Sequence, residues 1–377
     1  MDGAQAIALW TDKEGGVTRS APPRRVGIDD VAREAGVSPS TVSRVLNNQP
    51  SAVRISASTA NRVRHAAARL RYQPNHAARS LRTTQTHTVG VIAHDLVHPF
   101  TAQLLRVIYA SCHTRGYHVL VGNAEHSGSE GRALSDLLSA DRVDGILLIG
   151  DTLQRTARPT DMERLVQTHR PVISVGGRPS VAGEIAVTVD NAAGVTLALE
   201  HLVSMGHRAI AYVYEGGKPP SWEDEQRRAA YRRFMAAHGW PQGPLVPVQV
   251  HNAIEVAQDA VRDMLSRRPR PTAAFAENDV PAILVMKAAL MCGVGVPAEL
   301  SVVGFDDIAF ATLCTPGLTT IRQPLEAMGH YAATALLDSI AGREVAPPPA
   351  DLAAHVGPTS VFRPTLIRRE SSGPPAH

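Results

Sequence analysis

A chain of 377 residues exceeds one small domain and points to two or three. With 44% hydrophobic and 19% charged residues it reads as soluble and globular, which excludes a wholly disordered chain, and the lack of any uncharged apolar run of roughly 18 residues excludes a membrane-spanning helix. The net charge of +3 is unevenly placed: residues 25–82 hold ten arginines, no lysine and three acids, a local +7 that leaves −4 for the rest. A basic segment on a mildly acidic body is the electrostatic footprint of a nucleic-acid binder, although a solvated basic helix face would give the same count.

Residues 1–24 show no periodicity and are broken by Gly15-Gly16 and Pro22-Pro23, so they are expected to be a disordered extension. Their one apolar stretch, Ala6–Trp10, follows Asp2 and falls short of the roughly 7–15 residues of a secretion signal. The expected location is therefore the cytoplasm, with the nucleoid. Cys112, Cys292 and Cys314 are far apart and form no C-x-x-C pair, which suits reduced thiols.

Three short helices are expected within residues 26–73. Ile28, Val31, Ala32 and Ala35 share one helical face, and Gly36 follows where a helix end favours positive φ. Ser38-Pro39 supplies an N-cap and a proline at the first helical position, and Val42, Val45 and Leu46 point inward from the second helix. Ser56 can cap a third helix with a stripe of Val63, Ala67 and Leu70. Two short helices joined by a glycine-containing turn are the helix-turn-helix pattern. Residues 74–86 form a short connecting segment, too short to be a stable helix alone.

From Val89 the pattern changes to strand–helix alternation. Apolar β-rich runs occur at 89–93, 119–121, 145–149, 171–175, 209–213, 273–276 and 301–305. The fold class is thus an all-α helix-turn-helix domain followed by an α/β body, residues 87–370, of two doubly wound lobes. Ligands in such sheets bind beyond the carboxyl ends of the strands, here between the lobes. Ser371-Ser372-Gly373-Pro374-Pro375 opens an expected flexible tail over 371–377.

These segments carry a resemblance. Ile28-Asp29-Asp30-Val31-Ala32 with Gly36-Val37-Ser38-Pro39-Ser40-Thr41-Val42-Ser43-Arg44-Val45-Leu46-Asn47 resembles the lac repressor family. So do Tyr72-Gln73-Pro74-Asn75 with Ala78-Arg79-Ser80-Leu81, Asp144-Gly145-Ile146, Val189-Asp190-Asn191 and His201-Leu202 with Gly206-His207. Asn278-Asp279, Ser301–Asp307, Leu318–Ile321 and Arg368–Ser371 complete the order, over residues 26–371. Two departures are the long loop Asn48–Arg54 and His98-Pro99-Phe100, where family members often have Asn-Pro-Phe.

The resemblance implies a ligand-responsive transcription repressor acting as a homodimer on a palindromic operator. Its body would resemble a periplasmic sugar-binding protein: two lobes, three crossovers and a cleft. Ser38, Pro39 and Ser40 would stand at the start of the recognition helix, with base edges before Pro39 and Ser40. Thr41, Ser43 and Asn47 would touch phosphates and Arg44 either guanine or phosphate. The segment Asn75–Leu81, including Ala78 and Arg79, would fold on the operator, with Leu81 a wedge in the minor groove. Without the resemblance, Leu81 would read as a linker residue packing on the body.

For the effector, Asp306 ends a buried-looking strand and suits two neighbouring hydroxyls of a sugar. Arg227 matches the family's binding arginine, although glycine is usual where Ala230 stands. His98 occupies the departing position, Asn278 and Asp279 could add polar contacts, and Phe100 and Trp222 could stack on the ligand or pack in the core. No cofactor, metal or catalytic constellation is expected, the histidines being scattered. The alternatives are a regulator with a non-sugar corepressor, a solute-binding protein and, more distantly, a sugar hydrolase.

Overall fold

In the computed structural model of the chain, the described residues are 26–46, 55–72, 85–93, 95–123, 142–150, 170–177, 184–217, 220–249 and 254–376. The chain forms two compact units that divide between Arg82 and Thr83.

In the first unit, α1 (Ile28–Ala35), α2 (Pro39–Leu46) and α3 (Ala57–Arg69) enclose a core of small side chains. Val31, Ala32 and Ala35 of α1 meet Val42 and Val45 of α2 and Val63, Ala66 and Ala67 of α3. α1 stops because Gly36 adopts φ 64°, a left-handed conformation that a Cβ would disfavour. Ser38 Oγ accepts from the Thr41 amide and Ser56 Oγ from the Thr59 amide, both at 3.2 Å, so each helix start has its cap. Leu70, expected on the inward stripe, is only partly buried because it is already the C-cap of α3.

The second unit holds two sheets. One comprises β1 (Thr88–Ala93), β2 (His118–Asn123), β3 (Gly145–Ile149), β4 (Val172–Val175), β5 (Ile185–Val189), β11 (Ala353–Val356) and β12 (Thr359–Phe362). Its order is β11-β12-β5-β4-β3-β1-β2, and it is parallel except at the β11–β12 hairpin. The other comprises β6 (Ile210–Glu215), β7 (Leu245–Val248), β8 (Ala273–Ala276), β9 (Ser301–Asp306), β10 (Thr319–Arg322) and β13 (Thr365–Ile367). Its order is β13-β10-β9-β8-β6-β7, with only β10–β13 antiparallel. Strands covered on both faces read as continuous apolar runs, and β3 and β8 are buried at every position.

α4 (Pro99–Thr114) and α10 (Leu325–Ile340) pack in the core of the first lobe. The second lobe carries α5 (Asn191–Ser204), α6 (Trp222–Ala237), α7 (Ile254–Ser266), α8 (Asp279–Met291) and the short α9 (Phe310–Leu313). The chain passes between lobes three times: from β5 into α5 at Asp190, from β10 into α10 at Gln323-Pro324, and from β12 into β13 at Arg363-Pro364. The first and third crossings are tied by the Asp190 amide donating to the Phe362 carbonyl at 2.8 Å.

Strands β5, β7 and β10–β13 are not among the expected runs. β7 and β13 lie at sheet edges, where pairing rather than an apolar run defines the strand. The expected flexible tail is corrected over its first residues. Ser371 is fully buried, its Oγ donating to the Val302 carbonyl at 2.6 Å and accepting from the Thr319 amide at 2.8 Å. The Gly373 amide donates to Ser301 Oγ at 3.0 Å. Cys112 is buried in the first lobe, where burial pushes its thiol up to about 11. Among the described residues no helix is long and apolar enough to cross a membrane.

Candidate functional site

On the first unit, α2 presents Pro39, Ser40 and Arg44 as exposed side chains, with Thr41 half-buried. The Ser38 hydroxyl lies 2.8 Å from Ser40 Oγ and 2.9 Å from Thr41 Oγ1, a small hydroxyl cluster at the helix start. A helix N-terminus of this kind carries unpaired amides and partial positive charge, which suit anionic phosphate. Ser43 departs from expectation: it is 6% exposed, because it faces the three-helix core, and has little surface to offer a phosphate. Asn47, Asn75, Ala78, Arg79 and Leu81 lie outside the described residues.

In the second unit, a cavity of about 150 Å³ opens between the lobes. The first lobe contributes Asp95, His98, Phe100, Thr101 and the ends of β3 and β5. The second contributes Glu215 at the end of β6, Asp224 and Arg227 of α6, Glu277 and Asn278 beyond β8, and Asp306 at the end of β9, with Gln323 from a crossing. The carboxyl ends of parallel strands therefore supply the polar groups, as the fold requires.

Arg227 organises this site. It is 5% exposed; Nε donates to Asn191 Oδ1 at 2.8 Å, Nη1 donates to the Glu277 carbonyl at 2.7 Å, and the guanidinium lies 3.8 Å over the Phe305 ring. Its Nη1 stands 3.7 Å from Asp306 Oδ1, which also accepts from Gln323 Nε2 at 2.7 Å. Burial raises the Asp306 carboxyl above its ordinary range, while Arg227, His98 and Gln323 pull it back. Asp306 has φ 113°, an unusual backbone for a residue with a Cβ, and such strain commonly marks a functional position. The next residue, Asp307, is clamped by Arg322 and Arg369, both at 2.6 Å.

Five of the seven expected ligand residues, His98, Phe100, Arg227, Asn278 and Asp306, are brought together in this cavity. Asp279 is corrected: it is completely buried, accepts from the Ile308 amide at 2.8 Å and from the Thr320 hydroxyl, and holds the β9–α9 turn. Trp222 is also corrected: it opens α6 half-buried and does not line the cavity. Glu277, Glu215, Asp224, Asp95 and Gln323 were missed. An acid directly after an apolar strand was the available signal for Glu215 and Glu277; Asp224 was masked by its capping of α6 with Ser221. A second, apolar cavity of about 420 Å³ shares Asp95, His98 and Glu215 with the first and is lined by Val97, Val280, Ile283, Phe310 and Leu313 among others.

The family model described as bacterial regulatory proteins, lacI family, matches residues 27–75, and that of the periplasmic binding protein-like domain matches residues 199–372. The HTH-type transcriptional repressor CytR of Escherichia coli (strain K12) is 31% identical over 317 residues, 84% of this chain and 90% of that protein. The chain belongs to the LacI family. The ribose operon repressor of the same strain is 34% identical over 313 residues, 82% of this chain and 92% of that repressor. A crystal structure of the lac repressor dimer bound to operator and the anti-inducer ONPF aligns over 93% of this chain and 100% of its own, with a TM-score of 0.77 at 26% identity. As a member of the LacI family, the protein is a DNA-binding transcription regulator that responds to a small molecule.

Proposed function

We propose that this LacI-family protein is a homodimeric repressor in which residues 26–73 read DNA, residues 74–86 act as a hinge and residues 87–370 bind a sugar-type effector. Each subunit places α2 in a major groove, with Pro39 and Ser40 toward base edges and Arg44 toward guanine or phosphate. The two-fold symmetry of the dimer matches a palindromic operator, with one half-site per subunit. Leu81 enters the minor groove between them. Effector in the cleft changes the balance between two arrangements of the body, and it can do so only through unequal affinity for them. Such a protein works where the chromosome is, in the bacterial cytoplasm.

The observation that carries this reading is the interlobe cleft itself, in which two hydrogen-bonded pairs, Arg227 with Asn191 and Gln323 with Asp306, are joined by the 3.7 Å ion pair of Arg227 with Asp306, on a unit separate from the basic helices. Two variants test it. Asp306→Asn removes a charged acceptor and should weaken effector roughly 10- to 150-fold, since bonds to charged groups contribute about 1.5–3 kcal/mol, with operator affinity in effector-free solution unchanged. Leu81→Ala should do the reverse. Calorimetry of free protein and operator titration on both variants decide: loss of effector-free DNA binding in a folded Asp306→Asn protein sinks the two-site reading.

A further inference from the structure

The polar cavity between the lobes, at about 150 Å³, falls short of the roughly 300–1,000 Å³ of ordinary small-molecule sites. The apolar cavity of about 420 Å³ adjoins it, for Asp95, His98 and Glu215 line both. Beyond those three, its walls among the described residues are apolar, apart from the Cys314 thiol, which donates to the Ala311 carbonyl at 3.4 Å. Both lobes contribute: Val97 and Pro99 come from the first, Ile283, Phe310 and Leu313 from the second.

Polar groups outside this chamber's apolar surface hold its walls in place. Asp95 Oδ1 accepts from the amides of Val97 and His98, at 2.8 and 3.1 Å, and so fixes the turn that leaves Val97 77% exposed. The buried Asp279 accepts from the Ile308 amide at 2.8 Å and so fixes the approach to α9, where Phe310 is 55% and Leu313 74% exposed. Large apolar side chains from two lobes are thus presented to one common space. Apolar surface grouped in this way is unfavourable in water and marks a place where an apolar group binds.

Together the two cavities have the make-up of a ligand site, with a few placed polar groups at one end and apolar walls at the other. We propose that the effector is an amphiphile: a polyhydroxylated ring held at Arg227 and Asp306, carrying a compact apolar substituent that fills the chamber of Val97, Ile283, Phe310 and Leu313, as in an alkyl or aryl glycoside. This rests on the cleft being the effector site. The shared rim of Asp95, His98 and Glu215 lets one molecule span both spaces. A substituent that touches both lobes favours the arrangement that brings them close, and so supplies the unequal affinity on which a response depends.

The test uses the full chain with methyl, ethyl, propyl and butyl glycosides of glucose, galactose and ribose, in both anomers, beside the free sugars. In calorimetry at least one series should tighten about two- to fourfold with each added methylene, the upper figure being complete burial. The heat-capacity change of binding should grow more negative along that series. A double variant, Val97→Ser with Leu313→Ser, both at exposed positions, should flatten the series and leave the affinity for the free sugar as in the parent. A free sugar that binds while every alkyl series stays flat, or a gradient that survives in the double variant, overturns the proposal and leaves the effector cleft standing. So does a flat series combined with a Leu313→Ser chain that sediments as a monomer where the parent is a dimer, which would assign the chamber to a second copy. If no sugar or glycoside binds, the sugar-type reading of the cleft falls, and this proposal with it.

Discussion

Glu277 gives the cleft a pH signature even without ligand. Its carboxyl is raised from 4.5 to about 8 in the folded protein, so between those values the folded chain holds a proton that the unfolded chain has lost. The sign follows: this contribution to stability is fully present below about 4.5 and is lost as pH rises through about 8. Thermal unfolding followed across that window should show Glu277→Gln gaining on the parent with rising pH; parallel curves would refute the titration. Asp306 could be found in the sequence because it sits inside the long motif Ser301–Asp307, and Arg227 because it matches the family's binding arginine despite Ala230. For Glu277 the signal was weak, because one acid after Ala273-Ala274-Phe275-Ala276 reads equally well as the polar end of a strand. Asp279 misled for the converse reason: it neighbours Asn278 in sequence, yet the first turn of α8 directs it to Ile308 and Thr320, away from the cavity.

Helices and strands meet under tight steric terms where α5 crosses β9. A Cβ on Gly194 would lie 2.6 Å from Phe305 Cε2 and 3.2 Å from Ile321 Cγ2, so α5 can seat on the sheet only with glycine there. Gly194→Ala should destabilise by about 1–3 kcal/mol through overpacking, read by urea unfolding, and should weaken effector binding because Phe305 supports Arg227. The C-terminal segment is pinned by another element contact. His207 bonds Thr272 Oγ1 at 2.8 Å through Nδ1 and the Gly373 carbonyl at 2.8 Å through Nε2. Burial lowers its pKa below 6.5, so its stabilising share is present above 6.5 and is lost as pH falls through the folded value. Amide exchange at Ser371–Gly373, corrected for intrinsic pH dependence, should show protection lost on acidification, and His207→Asn should remove that dependence. Strands with unbroken apolar runs, such as β3 and β9, were readable from the sequence. The hairpin β11–β12 was not, since β11 is exposed beyond its first residue and takes its strand form from its partner.

At the scale of the whole molecule, charge is unequally divided along the chain, with +7 over residues 25–82 and −4 elsewhere. Operator affinity should therefore fall steeply with salt, by a log–log slope near −0.9 for each phosphate neutralised, and Arg44→Ala should flatten that slope by about one if it contacts phosphate. A salt-independent affinity in gel-shift titrations would remove DNA as the partner of these helices. The three crossings have a consequence for synthesis on the ribosome. The helices of the first unit are complete once Arg69 has emerged, but the first lobe waits for its β11–β12 hairpin until Phe362, and the second lobe waits for β13 until Ile367. Translation thus delivers the DNA-reading helices nearly three hundred residues before the sensor is whole. A message cut short between Ile340 and Ala353 would yield a chain that carries the DNA-reading helices but lacks the three strands that complete its sensor.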